Sequence, residues 1–161
     1  MSNLLFNDSV GQKLSPNEVI KEIILFMNGE PNRCYKVTIG TDSEHSPDKT
    51  ADFVTAIVIH RVGNGGRYFW RRIEPDTKYF TLRDRITEEV LISLDIAKEL
   101  LNCMKNFQIP KFDFEIHLDV GTKGETKAVI QELVGMVRAN NFEAKTKPDS
   151  YAASKVADRH V

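Results

Sequence analysis

The sequence has few cysteines and no long apolar run, and each shortage excludes a class of protein. Only Cys34 and Cys103 are present among the 161 residues, with neither a CxxC spacing nor a His-rich neighbourhood. We therefore expect reduced thiols in a cytoplasmic protein rather than a zinc site or a disulfide framework. The longest apolar runs span a few residues, and the first residues lack a basic region followed by an apolar one. We expect neither a membrane span nor a secretion signal.

Net charge is also nearly absent, at −1. This value excludes a protein that coats nucleic acid by bulk electrostatics, because such binding depends on many contacts from Lys and Arg to phosphates. Any contact with nucleic acid must come from a local basic patch. What is present is ordinary: 41% hydrophobic and 28% charged residues, a composition typical of one globular domain.

The stretch from Tyr35 to Ser43 predicts a strand, because apolar and polar residues alternate along it. Asp42 lies near its end on the polar side, the side of Lys36 and Thr38. A partly buried carboxylate is costly unless it is paired, hydrogen-bonded or bound to a metal. Taken alone, an Asp at this position is also typical of a turn cap, so both interpretations stay open.

The remaining patterns predict an α/β fold of order β-β-β-α-β-α-β-α with an extra N-terminal helix. That helix begins at Ser15, whose neighbours Pro16 and Glu18 complete a capping signature. Residues 1–14 are expected to form a loosely ordered arm, and residues 15–161 a single domain. The order predicts a mixed five-stranded sheet with helices on its faces. The predicted elements after the first strand are strands 53–61, 67–74, 112–120 and 142–147 and helices 81–104, 122–140 (with a possible Thr122–Glu125 capping box) and 149–161.

Two further acids fall near Asp42 in this arrangement. Asp119 ends strand 112–120 on its polar side, and if that strand is a parallel neighbour of the first, the two backbones lie about 4.8 Å apart. The carboxylates then meet at the carboxyl edge of the sheet, where a divalent cation relieves their repulsion. Glu89 lies on the edge of the apolar stripe of helix 81–104, within reach of Arg85. We expect this helix to cover the face of Asp42 and to bring a third carboxylate.

Four short motifs follow one another in this order: Gly-Thr-Asp-Ser at 40–43, Arg-Ile-x-x-Glu at 85–89, His-Leu-Asp-Val-Gly at 117–121 and Lys-Pro-Asp at 147–149, with Ala-Ser in the last helix. Together they resemble the ribonuclease H-like superfamily and, within it, the YkuK-type family. The resemblance extends over about residues 15 to 161. It implies a three-layer ribonuclease H-like fold.

The resemblance also implies an acidic cluster that holds two Mg²⁺ or Mn²⁺ ions. Asp42, Glu89 and Asp119 match its first three positions, and a fourth acid comes from the last helix. Asp149 is favoured because it starts that helix next to the carboxyl edge, whereas Asp158 lies roughly 13 Å farther along the axis. Asp149 equally fits a helix N-cap, and Asp158 fits a salt bridge with Lys155.

The function expected from this resemblance is a metal-dependent nuclease that hydrolyses phosphodiester bonds by a two-metal-ion mechanism. His117 can assist proton transfer, although a lone strand histidine is more typical of packing. Phosphate contacts are expected from a local basic patch of Lys123, Lys127, Lys145 and Lys147.

Two other functions remain open. One is a noncatalytic ribonuclease H-like module that binds nucleic acid or protein, and the other is a structural domain stabilised by metal. The sequence does not choose among RNA, DNA and hybrid substrates, because groove shape and 2′-OH contacts decide that. The oligomeric state is equally open.

Overall fold

The structure of the protein is a computed structural model that describes residues 4–121 and 124–161. The strands are β1 (Phe6–Asn7), β2 (Lys13–Leu14), β3 (Tyr35–His45), β4 (Ala51–Arg61), β5 (Gly66–Ile73), β6 (Phe112–His117) and β7 (Glu143–Lys145), and the helices are α1 (Pro16–Gly29), α2 (Leu82–Met104) and α3 (Ile130–Ala139). A 3₁₀ turn, Glu125–Val129, precedes α3. A π-type turn, Ala152–Ala157, and a 3₁₀ turn, Asp158–His160, form what we call the C-terminal helical segment.

The strands form one mixed sheet in the order β2-β1-β5-β4-β3-β6-β7. Strands β3, β4 and β5 are antiparallel neighbours, whereas β6 runs parallel to β3 and to β7. The predicted mixed α/β fold is confirmed, and β3 and β6 are the parallel neighbours that the meeting of Asp42 and Asp119 requires. The five predicted strands are present as β3 to β7, and the described residues add two short strands, so the sheet they form has seven and not five.

The two additional strands lie in the segment that we expected to be a loosely ordered arm. Phe6 pairs with Leu14, and Asn7 lies opposite Trp70 of β5. Phe6 is fully buried and anchors this segment to the core. Strands of two residues are too short to show the alternation by which strands are recognised in a sequence.

Helix α1 begins as predicted. The Ser15 hydroxyl accepts a hydrogen bond from the Glu18 amide, and the Glu18 carboxylate accepts one from the Ser15 amide. The predicted capping box of Thr122 and Glu125 includes residue 122, which lies outside the described residues. No helix in the described part of the chain is long and apolar enough to cross a membrane.

The two faces of the sheet are covered differently. Tyr35, Val37 and Ile39 of β3 face the main core, which also contains the buried residues of α1, α2 and α3. The opposite face carries the C-terminal helical segment, where Ala157 packs on Val54 and Ala56 of β4.

A glycine allows this segment to approach the sheet closely. A Cβ atom on Gly40 would lie 2.3 Å from the Ala153 amide nitrogen, a distance that no side chain could occupy without displacing the backbone. The segment therefore rests directly on β3, two residues before Asp42.

Our expectation that α2 covers the face of Asp42 is wrong. Side chains of a strand alternate between faces, and it is Thr41 and Ser43 that contact α2. The Thr41 hydroxyl lies 2.7 Å from the Ser93 hydroxyl, and the Ser43 hydroxyl donates a hydrogen bond to Glu89. Asp42 points to the other face, under the C-terminal helical segment.

Candidate functional site

A cleft of about 540 Å³ opens where β3 and β6 end. Its walls come from β3, α2, the turn after β6, the turn after β7 and the C-terminal helical segment. Five acidic and two cationic side chains are in its lining: Asp42, Glu44, Glu89, Asp119, Asp158, Arg85 and Lys147. Carboxyl ends of neighbouring parallel strands are where α/β sheets place their ligands.

Asp42 is the central acid of this cleft and is only 7% exposed. Its Oδ1 accepts a hydrogen bond of 2.9 Å from the Ser43 amide. Burial raises the pKa of Asp42 to about 7, with further contributions from the negative charge of Asp119 and from a hydrogen bond with Asp158.

Glu89 approaches the same point from the middle of α2 and is 5% exposed. Burial raises its pKa well above the usual range, the Ser43 hydrogen bond opposes this, and the charges of Asp42 and Asp119 add to it. Arg85 does not pair with Glu89 directly as expected. Its guanidinium donates to the carbonyl and the hydroxyl of Ser43, both at 2.8 Å. Ser43 therefore links the cation to the carboxylate.

Asp119 follows the end of β6 and pairs with a lysine. Its Oδ1 lies 2.9 Å from the Lys147 Nζ atom. This contact with Asp119 raises the pKa of Lys147, and the charges of Asp42 and Glu89 raise it further. Lys147 is thus a cation held among three acids of the cleft.

The structure places the two candidates for the fourth acid in different surroundings. Asp149, which we favoured, is exposed, and its amide donates to the Thr146 carbonyl in a turn outside the cleft. The cleft contains Asp158 instead.

The path of the C-terminal helical segment explains this difference. The Ala152 amide donates to His117 Nδ1 on β6 at 3.1 Å, and the His160 ring stacks on Trp70 of β5 at 4.2 Å. The segment therefore crosses the strands instead of rising away from the sheet edge, and Asp158 arrives beside Asp42. The small residues Ala152, Ala153 and Ala157, all fully buried, were the signal of close packing that could have indicated this path.

His117 is not a group of the cleft. It is buried beneath the C-terminal helical segment, and its Nε2 lies 3.1 Å from Glu115 Oε1. Burial lowers its pKa. Because Nδ1 accepts the Ala152 amide, Nε2 carries the proton and donates to Glu115. This neutral histidine anchors the segment to β6, so the structure gives it a packing role and not one in proton transfer.

The predicted basic patch is largely dispersed. Lys145 pairs with Glu143 at 3.2 Å and with Glu115 at 3.8 Å. Lys127 is exposed on the turn before α3, and Lys123 lies outside the described residues. Of the described members of the patch, Lys147 is the one that lines the cleft.

The cleft offers carboxylate oxygens as possible ligands for a metal ion. Within residues 4–121 and 124–161, no group of three His, Cys, Asp or Glu side chains is arranged so that it could hold a metal ion. The donors nevertheless fit Mg²⁺ or Mn²⁺ chemically, because these ions prefer carboxylate oxygens. Side-chain rotations are needed to bring three of these oxygens to one point.

A second, larger cleft of about 780 Å³ lies at the opposite ends of the same strands. Its lining includes Arg33, Cys34, Tyr35, Lys111 and Asp113. With a single carboxylate in its lining, it offers no acidic cluster for a cation. Size alone therefore does not identify the candidate site.

Comparison with known proteins agrees with the architecture. A family model described as ribonuclease H-like matches residues 18–161. The chain is 34% identical over 168 residues to "Uncharacterized protein YkuK" of Bacillus subtilis (strain 168), an alignment that covers 98% of this chain and 96% of that protein. No solved structure matches the chain significantly. Because the family model spans most of the chain and the relative aligns over almost all of it, the chain belongs to the ribonuclease H-like family, in its YkuK-type group.

Proposed function

We propose that the protein is a metal-dependent nuclease that hydrolyses phosphodiester bonds of nucleic acid in the acidic cleft. The observation that carries this proposal is the convergence of Asp42, Glu89, Asp119 and Asp158 on one cleft. Two of these acids are buried, and their pKa values are raised by burial and by their neighbours' charges. Such an arrangement costs stability, and groups of this kind concentrate at functional sites.

The four carboxylates would hold Mg²⁺ or Mn²⁺, with Asp158 in the position for which Asp149 was first favoured. A metal ion bound there would activate a water molecule and stabilise the leaving oxygen of the phosphodiester. Hard cations bind through a few carboxylates together with substrate phosphates. This donor set is therefore suited to a phosphate ester and less suited to an uncharged substrate.

Residues around the acids would keep them in place for this task. Ser43 donates its hydroxyl proton to Glu89 Oε1, and Arg85 holds Ser43 through two hydrogen bonds. Together they restrict the rotamer of the Glu89 carboxylate. On the other side, His117 and Gly40 hold the C-terminal helical segment against the sheet, which keeps Asp158 beside Asp42.

The proposal is tested by titrating Mn²⁺ into the protein in a calorimeter and by assaying cleavage of labelled RNA, DNA and hybrid substrates. The variants are Asp42→Asn and Asp119→Asn, and the matched control is Asp149→Asn, an exposed acid outside the cleft. We expect wild type and the control to bind Mn²⁺ and to cleave one of the substrates. Both cleft variants should lose at least about 100-fold in cleavage. Absence of Mn²⁺ binding in the wild type would contradict the proposal.

A second candidate is a noncatalytic ribonuclease H-like module that binds nucleic acid. One observation favours it: no three carboxylates of the described residues are arranged so that they could hold a metal ion without rearrangement. In that case nucleic acid should bind equally well in the presence of a chelator, and Asp42→Asn should leave the affinity unchanged or improve it, because it removes a charge that repels phosphates. Cleavage should be absent with Mg²⁺ and with Mn²⁺.

A further inference from the structure

Backbone hydrogen bonds fix the position of Lys147 beside the acids of the cleft. Its amide donates a hydrogen bond of 2.7 Å to the Val120 carbonyl, and the Leu118 amide donates one of 2.8 Å to the Lys145 carbonyl. These bonds continue the pairing of β6 and β7 beyond the ends of both strands. They fix the origin of the Lys147 side chain beside the cleft.

The lysine stem lies along a glycine. A Cβ atom on Gly121 would lie 3.3 Å from Lys147 Cβ, closer than most carbon contacts of this kind, and 3.6 Å from its Cδ. The missing side chain at residue 121 thus leaves space for the stem, which leads the ammonium group to Asp119.

The two cations of the cleft differ in how firmly they are held. Arg85 makes two hydrogen bonds to Ser43, and its planar fork suits a fixed position. The Lys147 side chain is 49% exposed and reaches Asp119 through a single contact. A half-exposed ion pair of this kind is weak and exchanges readily.

We propose that Lys147 is a positioning residue that competes with the divalent cation for Asp119 and, once displaced, turns its ammonium group to the phosphate of the substrate. This inference rests on the proposed function. Two positive charges repel one another, so a metal ion at Asp119 weakens the hold of that carboxylate on the lysine. The displaced ammonium remains charged and tethered at the cleft, where the phosphate of a bound substrate offers it a new anionic partner. Lysine binds phosphates as a mobile point charge.

The test uses Lys147→Met, which keeps most of the stem and removes the charge. The matched control is Lys145→Met, because Lys145 lies two residues earlier, pairs with Glu143 and Glu115, and does not line the cleft. Mn²⁺ affinity is measured by calorimetry. Affinity for a short labelled single-stranded oligonucleotide is measured by fluorescence anisotropy with Ca²⁺ in place of Mn²⁺.

Opposite changes in the two affinities are the expected signature. Lys147→Met should bind Mn²⁺ about fivefold more tightly and the oligonucleotide about tenfold more weakly. Lys147→Arg should restore most of the oligonucleotide affinity, and Lys145→Met should change neither quantity. A lysine that only supports the fold would lower both affinities together, together with the melting temperature, and that result would overturn the inference. Lys147→Gln serves as a second neutral variant if Lys147→Met folds poorly.

The outcomes separate this inference from the function on which it rests. If wild type binds no Mn²⁺, the proposed nuclease fails and the role of Lys147 fails with it. If wild type binds Mn²⁺ and cleaves but Lys147→Met behaves like Lys145→Met, the nuclease stands and only the inference on Lys147 is wrong.

Discussion

The two ends of the β3 and β6 pair carry clefts of very different chemistry. At the amino ends lies the larger cleft, about 780 Å³ in volume, with one carboxylate, Asp113. At the carboxyl ends lies a cleft of about 540 Å³ whose lining includes five acidic side chains. The same strands and the same core support both ends, so stability alone does not explain the difference. Concentrated charge, and not volume, distinguishes the carboxyl end as the candidate site.

The difference between the ends is largest in catalysis. Asp158→Asn should reduce cleavage by about 100-fold or more, because it removes a proposed ligand next to Asp42. Asp113→Asn at the amino end should leave cleavage unchanged. Rates with Mg²⁺ and with Mn²⁺ on the substrate found for wild type provide the measurement. Equal activity of Asp158→Asn and Asp113→Asn would contradict the assignment of the carboxyl-end cleft as the catalytic site.

A bulky residue at position 40 should disrupt the carboxyl-end cleft by displacing the C-terminal helical segment. In Gly40→Val the new side chain would meet the backbone of Ala152 and Ala153, so the C-terminal helical segment must move away from β3. We expect a loss of about 3 kcal/mol in the free energy of unfolding and a loss of Mn²⁺ affinity, because Asp158 moves with the segment.

Urea denaturation measures the first effect and calorimetry the second. Gly135→Ala is the control, since a Cβ atom there meets nothing within 4 Å and alanine is the better helix former. A stable Gly40→Val protein with unchanged Mn²⁺ affinity would contradict the assigned path of the segment.

The acids of the carboxyl end should also make stability depend on pH. The folded-state pKa of Asp42 is about 7, compared with 3.8 for the free side chain. Between these values the folded protein binds more protons than the unfolded chain, so the free energy of unfolding should fall as pH rises from about 4 to 7. The fall should be on the order of 2 kcal/mol, because water in the open cleft offsets part of the cost of ionisation.

Asp42→Asn should flatten this pH dependence, whereas Asp113→Asn should leave it intact. Chemical denaturation at several pH values is the measurement. A divalent cation prefers the ionised acids, so the rise in melting temperature with Mn²⁺ should be larger at pH 8 than at pH 5.5. A larger rise at the lower pH would be inconsistent with carboxylate ligands.

The smallest expected effect is at Ser43. Ser43→Ala removes the hydroxyl that donates to Glu89 and accepts from Arg85, which should lower stability by about 1 kcal/mol. Mn²⁺ affinity should fall about fivefold, because the Glu89 carboxylate is less well oriented. Thr41→Ala is the matched control, since Thr41 bonds Ser93 on the same helix without touching an acid. Equal losses of Mn²⁺ affinity in both variants would indicate a general packing effect.

Three of the five acidic residues in the cleft lining were recognisable as candidates from the sequence. Asp42 and Asp119 each lie near or just beyond the end of a strand with clear alternation, and the parallel pairing of those strands brings them together. Glu89 was recognisable as a charge on the edge of an apolar stripe. Local patterns of this kind depend on nearby residues, so they can be read without the tertiary structure.

The fourth acid and the placement of α2 depended on tertiary packing. The direction of the C-terminal helical segment is set by contacts with Gly40, His117 and Trp70, which are distant in sequence. A straight helix starting at Asp149 was the natural expectation, but the segment is irregular and crosses the sheet. Likewise, α2 packs on the sheet face that carries Thr41 and Ser43. Glu89 therefore reaches the cleft at the edge of the sheet and does not lie over the face that carries Asp42.

The measurement that tests the central claim most directly is a crystal structure of the protein grown with Mn²⁺, with anomalous scattering recorded near the manganese absorption edge. The account predicts an anomalous peak in the carboxyl-end cleft, bounded by Asp42, Glu89, Asp119 and Asp158, with the Lys147 ammonium moved away from Asp119. No peak in that cleft, or a peak only at acids outside it such as Asp113 or Asp149, would contradict the account.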